Sequence, residues 1–86
     1  MRKIHFENNK NVVSDAIREQ RQKLKLTQSD LAARMQTLGA SIDQQMISKI
    51  EHNSRFVTDY ELVLFAKALK TTPECLLSDF MHRLDS

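Results

Sequence analysis

One glycine and one proline in 86 residues leave this chain few places to reverse direction tightly. A fold of short strands needs turn residues about every 8–12 positions, so an all-β architecture is excluded. Helices demand less, since each can start on a side-chain cap and end on one residue of positive φ. The apolar residues agree: they recur at helical spacing, with no internal repeat or low-complexity run. The expected class is all-α.

Five helices follow from caps and apolar stripes. The first is expected over about Asn11 to Lys25, with Val13, Ala16, Ile17 and Leu24 inward and Arg18, Arg21 and Lys23 on a basic outer face. The second opens in "LTQSDLAARM", where Thr27 can cap a free backbone N–H and Asp30 can return the bond, a capping box. Its inward residues are Leu31, Ala32, Met35 and Leu38. The third, "DQQMISKIEH", is capped by Asp43 and turns Met46, Ile47 and Ile50 inward, which leaves Gln44, Gln45, Ser48, Lys49 and His52 outside. "TDYELVLFAKALK" opens with a Thr58–Glu61 capping box and buries Leu62, Phe65, Ala66 and Leu69. "TTPECLLSDFMHRL" opens with Thr72 as cap and Pro73 at the first helical position, where its missing N–H costs nothing. Residues 1–10 are expected to form an arm, extended at its start where Ile4 and Phe6 alternate with Lys3 and His5, and residues 11–86 the domain.

A chain of this length holds one small core, and such cores are marginal without support. Cys75 is the only cysteine, so no internal disulfide supplies it. His5, His52 and His82 lie far apart and are not grouped with Cys75 at zinc-binding spacing, so no metal and no cofactor is expected. A second subunit remains as the source of support. No apolar run approaches the ~20 residues of a membrane span. The N-terminal "MRKIHFENNK" lacks the apolar stretch of a signal peptide, so a cytoplasmic protein with no membrane partner is expected. The net charge of +2 is uneven. Residues 1–55 carry ten Lys/Arg against six Asp/Glu, and residues 56–86 three against five. Such a split fits one face meeting a polyanion.

Two short helices joined by a turn, the second with a polar outer row, make the plan of a helix-turn-helix. The second helix must enter the major groove with donors and acceptors near its N-terminus, because base edges are read by hydrogen bonds. Gln44 and Gln45 carry both in one amide, and glutamine can pair bidentately with adenine. Gln28 and the free N–H groups beside Thr27 can meet a phosphate.

Residues 13–78 resemble the phage repressor/Cro family, the Xre-type helix-turn-helix, most specifically in "LTQSDLA", "MISKIEHNSR" and "LVLFAKAL" followed by "LL". The resemblance implies five helices and a bacterial or phage regulator that binds double-stranded operator DNA as a dimer. It gives Gln28 the phosphate contact at the start of helix 2, and Gln44 and Gln45 the base-reading positions. Ser48 and Lys49 take the next exposed turn of the recognition helix, and His52, Asn53, Ser54 and Arg55 the phosphate-contacting loop after it. Arg21 and Glu51 are assigned to a structural pair. Three positions depart from the pattern: Lys25 and Asn53 stand where glycine is common, and Gln20 replaces a core leucine. The largest departure is "QTLGASID", because the common pattern from Gln28 to Glu51 is about five residues shorter, a little over one helical turn. Gly39 is expected to follow the C-cap of a lengthened helix 2 at positive φ, Ala40 and Ser41 to complete the turn, Ile42 to return to the core and Asp43 to restart the helix.

Plainer roles are assigned elsewhere. Arg18, Lys23 and Lys67 read as solvated surface, and Arg2 and Lys3 as a disordered terminus rather than a minor-groove arm. Cys75 beside Leu76 and Leu77 reads as buried filler, and Met35, Met46 and Met81 as core. His52 and Ser54 lack a third group or an oxyanion site, so no enzymatic activity is expected. The last helix carries two apolar stripes, Leu77, Met81 and Leu84 beside Leu76, Phe80 and Leu84, enough for one to face the core and the other a second subunit. The acidic, apolar C-terminal part also permits a different function, a protein-binding module such as an antitoxin.

Overall fold

Helix starts in this chain are written in short polar side chains. Thr27 Oγ1 accepts from Asp30 N while Asp30 Oδ2 accepts from Thr27 N, and α2 follows over Gln28–Thr37. Asp43 Oδ1 accepts from Met46 N at the head of α3, Gln44–Glu51. Thr58 and Glu61 form the second capping box, before α4, Asp59–Ala68. Thr72 Oγ1 accepts from Cys75 N before α5, Pro73–Leu84. Only α1, Ser14–Lys23, lacks a side-chain cap. The structure, a computed structural model, describes residues 9–84, with five helices and no strand among them.

The first four helices end alike. Each has a residue of positive φ just past its C-cap: Lys25 at 59°, Gly39 at 97°, Asn53 at 60° and Lys70 at 56°. The N–H of that residue and of its successor turn back onto the helix, as in Gly39 N to Gln36 O and Ala40 N to Met35 O, both 3.0 Å. This is the Schellman closure, which satisfies carbonyls the helix leaves open. Lys25, Asn53 and Lys70 lie near the left-handed minimum of about +57°, which an L residue tolerates at a cost of roughly 1–2 kcal/mol. Gly39 lies some 40° beyond it. A Cβ there would meet nothing within 4 Å, so backbone conformation rather than crowding selects glycine.

The fully buried side chains Ile17, Leu31, Met35, Ile42, Ile47, Ile50, Phe65 and Leu69 form the centre of the core. α3 packs on α1 and α2, α4 bridges α2 and α5, and α5 returns to α1. The long turn between α2 and α3 contributes to this core, with Ala40 and Ile42 both buried and Gln36 Nε2 donating to Ile42 O at 3.0 Å. Ala40 therefore does more than complete the turn. Gln20, in place of a core leucine, donates to Leu69 O at 2.9 Å, and Arg34 donates to Ala68 O at 2.9 Å.

Several expectations are corrected. α1 begins at Ser14, later than Asn11, because Asn11 Oδ1 takes the Val13 N–H in a local turn and its amide reaches across to Ile50 O and Arg55 O. Leu38 is exposed although it keeps helical backbone geometry, and the chain turns away only at the next residue, Gly39. Met81 is exposed on α5. Cys75 is exposed rather than buried, because α5 turns Leu76 into the core instead. Hydrogen bonds from the Thr72 and Thr71 hydroxyls hold its thiol below the ordinary value. The expected arm falls mostly on residues 1–8, outside the described residues, as do Arg2 and Lys3.

Candidate nucleic-acid interface

The outward row of α3 begins at Gln44 and Gln45, both exposed, continues through half-buried Ser48 and exposed Lys49, and reaches His52 past the helix end. Ile47 and Ile50 on the opposite side are fully buried, so the helix cannot roll without exposing them. A recognition surface needs that rigidity, because base edges are distinguished at hydrogen-bond precision.

A chain of hydrogen bonds then orients Gln44, the first residue of the row. Arg21 Nε and Nη2 donate to Glu51 Oε2 and Oε1 at 2.6 and 2.9 Å, and Arg21 Nη1 caps Leu26 O at 2.8 Å. Hydrogen bonds to Glu51 hold the Arg21 guanidinium above its ordinary pKa, against the opposing effect of burial. Glu51, a carboxylate with almost no exposure, can only accept, so Gln28 must turn its NH₂ toward Glu51 Oε1, at 3.1 Å. The Gln28 carbonyl then faces Gln44 Nε2, at 2.7 Å. Gln44 is left with its own carbonyl oxygen and one N–H for an outside partner. Gln45 and Lys49 have no side-chain hydrogen bond or ion pair among the described residues.

The C-terminal end of α3 is equally constrained. Asn11 Nδ2 donates to Ile50 O at 3.1 Å and Arg18 Nη1 to Glu51 O at 3.3 Å. Arg18 also pairs with Asp15 at 2.7 Å, so this side chain stays on the solvated surface, as expected, and also serves as a strut between α1 and α3. In the loop beyond, Ser54 Oγ donates to Lys49 O at 3.0 Å and His52 Nδ1 lies 2.7 Å from Ser48 O. Arg55 is turned inward, toward Glu61 Oε1 and Oε2 at 3.1 and 3.2 Å and Phe56 O at 3.0 Å. Burial pushes the Glu61 carboxyl up, but the hydrogen bonds from Arg55 and the Thr58 N–H outweigh it and hold the carboxyl below its ordinary value.

At the head of α2, the capping box takes the N–H groups of Thr27 and Asp30 and leaves those of Gln28 and Ser29 for an outside acceptor. The Thr27 N–H and hydroxyl keep the Asp30 carboxyl below its ordinary value. An anion arriving here meets that carboxylate too, so its binding rests on hydrogen bonds from Gln28 and the backbone rather than on net charge.

A family model described as helix-turn-helix matches residues 17–74, from the middle of α1 to the start of α5. The chain is an Xre-type helix-turn-helix protein. No match was found among curated proteins. Membership makes α2 and α3 the two helices of the motif, and a DNA-binding regulator the general role. Within this helix-turn-helix protein the turn spans residues 38–43 and is anchored by Ala40 and Ile42. No helix among the described residues is long and apolar enough to cross a membrane. Sequence reasoning missed Asn11, Lys10 and Phe56 beside this surface. Their contacts join residues 9–11 to residues 50–56, and no local pattern signals a pairing at that separation.

Proposed function

We propose that this helix-turn-helix protein is a sequence-specific transcriptional regulator, a dimeric repressor that reads a near-palindromic operator through the major groove. The observation that carries this reading is the outward row Gln44, Gln45, Ser48 and Lys49 on a helix fixed at both ends. Gln44 and Gln45 read base edges, and Ser48 and Lys49 extend the contact along the groove. Gln28, with the N–H groups at the head of α2, takes a backbone phosphate. His52, Asn53 and Ser54 present the loop after α3 to the next phosphates, with Arg55 bracing that loop through Glu61. Two copies place their α3 helices about 34–36 Å apart, one turn of DNA.

Exposed Met81 and Leu84 on α5, with Tyr60 and Val63 on α4, offer apolar surface for the second copy. The same residues support a second reading, in which this surface captures a different protein, as in an antitoxin. Selection of bound sequences from a random DNA pool tests the first reading. Recovery of a two-fold symmetric site supports it, and failure to enrich any sequence at low salt refutes it. On the selected site, Gln44→Ala and Gln45→Ala are each expected to cost about 1–3 kcal/mol, with little loss on random DNA. Equal loss on both kinds of DNA removes the base-reading assignment.

A further inference from the structure

Lys10 precedes the stretch matched by the family model, yet it is fastened to the loop that follows α3. Its backbone N–H donates to Asn53 Oδ1 at 2.9 Å, and the next N–H, of Asn11, donates to the same oxygen at 3.0 Å. Asn53 Nδ2 in turn donates to Asn9 Oδ1. Asn11 Nδ2 bridges Ile50 O and Arg55 O, both at 3.1 Å, so residues 9–11 are tied to both sides of the loop. The Lys10 ammonium lies 5.0 Å from the centre of the Phe56 ring. Phe56 itself is 64% exposed and contributes little to the core.

This arrangement exchanges one cation for another. The loop's own arginine, Arg55, has its guanidinium occupied by Glu61 and Phe56 O. Lys10 brings a positive charge to the same loop with no carboxylate paired to it among the described residues. An ammonium over an aromatic face is held weakly and keeps its hydrogen-bond donors for another acceptor. The position is also informative. In the docking proposed above, the N-terminal residues of α3 meet the base edges. A group fastened to the loop beyond its C-terminal end then lies on the side of the backbone phosphates that this loop is proposed to meet.

We propose that Lys10 is a further contact to the DNA backbone, a phosphate-binding residue presented by Asn53 and Phe56. The proposal rests on the DNA-reading function above. It also gives a reason for asparagine at position 53: glycine would close α3 equally well but could not hold residues 9–11.

The test is fluorescence anisotropy with the full chain on a selected duplex and on a short random duplex, with salt varied from about 50 to 200 mM. Lys10→Ala is expected to flatten the slope of log K against log salt by about one on both duplexes, leaving their affinity ratio unchanged. Across that fourfold range the variant then loses about 3.5-fold less affinity than the parent. Lys10→Arg is expected to keep the parental slope. Asn53→Gly, folded by circular dichroism, is expected to flatten the slope as Lys10→Ala does, and the double variant no further. An unchanged slope in Lys10→Ala, alongside a flattened one in Lys49→Ala, overturns the Lys10 contact and leaves the DNA-reading function standing. Flattening in Lys10→Ala but not in folded Asn53→Gly overturns presentation by Asn53. A parent chain that binds neither duplex at the lowest salt overturns both the contact and the function beneath it.

Discussion

Replacing Arg21 by methionine keeps most of its apolar stem and removes its charge, so it breaks the pair with Glu51 together with the Nη1 bond to Leu26 O, and only the cycle with Glu51→Met separates the two. The parent structure gives Glu51 three donated hydrogen bonds, two from Arg21 and one from Gln28. The variant leaves only the Gln28 bond on a carboxylate whose side chain is 2% exposed. Removing one partner of a buried pair costs about 3–5 kcal/mol, and the surviving Gln28 bond places this case near 3. A domain of this size holds roughly 4–13 kcal/mol in total, so the single variant is expected to be much weakened. At about 4–8 °C per kcal/mol, its melting temperature drops by roughly 12–24 °C. The double variant Arg21→Met with Glu51→Met has no stranded charge and is expected within about 1 kcal/mol of the parent. Urea unfolding with comparable slopes measures all four corners of this cycle. If the two single costs simply add in the double variant, the pair is not coupled and the reasoning fails. The restored double variant serves a second purpose. It folds, but Gln28 has lost the acceptor that sets its amide, so its discrimination between selected and random DNA is expected to fall.

Three further outcomes are expected. Gly39→Ala should destabilise by about 1–2 kcal/mol through backbone conformation alone, and Gly39→Asn by less, since asparagine tolerates positive φ. Equal costs in thermal melts would point to another cause. Ile42→Ala should cost about 2–5 kcal/mol in chemical unfolding, because Ile42 is 1% exposed and anchors the long turn. A cost under 1 kcal/mol would mean the turn can collapse around the gap. The Glu61 carboxyl is depressed in the folded state, so its contribution is complete above its ordinary value of 4.5 and fades as pH falls through the lower folded value. The stability gap between the parent and Glu61→Gln should therefore be widest near neutral pH and narrow below 4.5. A gap independent of pH would contradict the Arg55–Glu61 assignment.

The local grammar of the fold was legible because its physics is local. Thr27 with Asp30, Asp43, Thr58 with Glu61, and Thr72 with Pro73 each satisfy N–H groups within one helical turn, so residue order alone places four helix starts. Gly39 was legible for the same reason, since φ of 97° is a backbone property of one residue. The inward stripes of α3 and α4 followed from period, with Ile47, Ile50, Phe65 and Leu69 all fully buried. Lys70 escaped notice because a lysine gives no sign that it will take positive φ.

By itself, then, the sequence determined an all-α chain, its helix starts, the polar row on α3 and the special place of Gly39. Tertiary structure alone decided which polar groups around that row are turned outward and which are tied down. Arg18 and Arg55 read as surface and DNA contact in the sequence, but each meets a partner elsewhere in the fold, Glu51 O and Glu61. Lys10 reads as part of an arm, yet it is bound to a loop more than forty residues away. A cap is chosen by neighbours along the chain, whereas a charged side chain is committed by whatever folding brings within hydrogen-bond reach, and that depends on how α1, α3 and α4 pack.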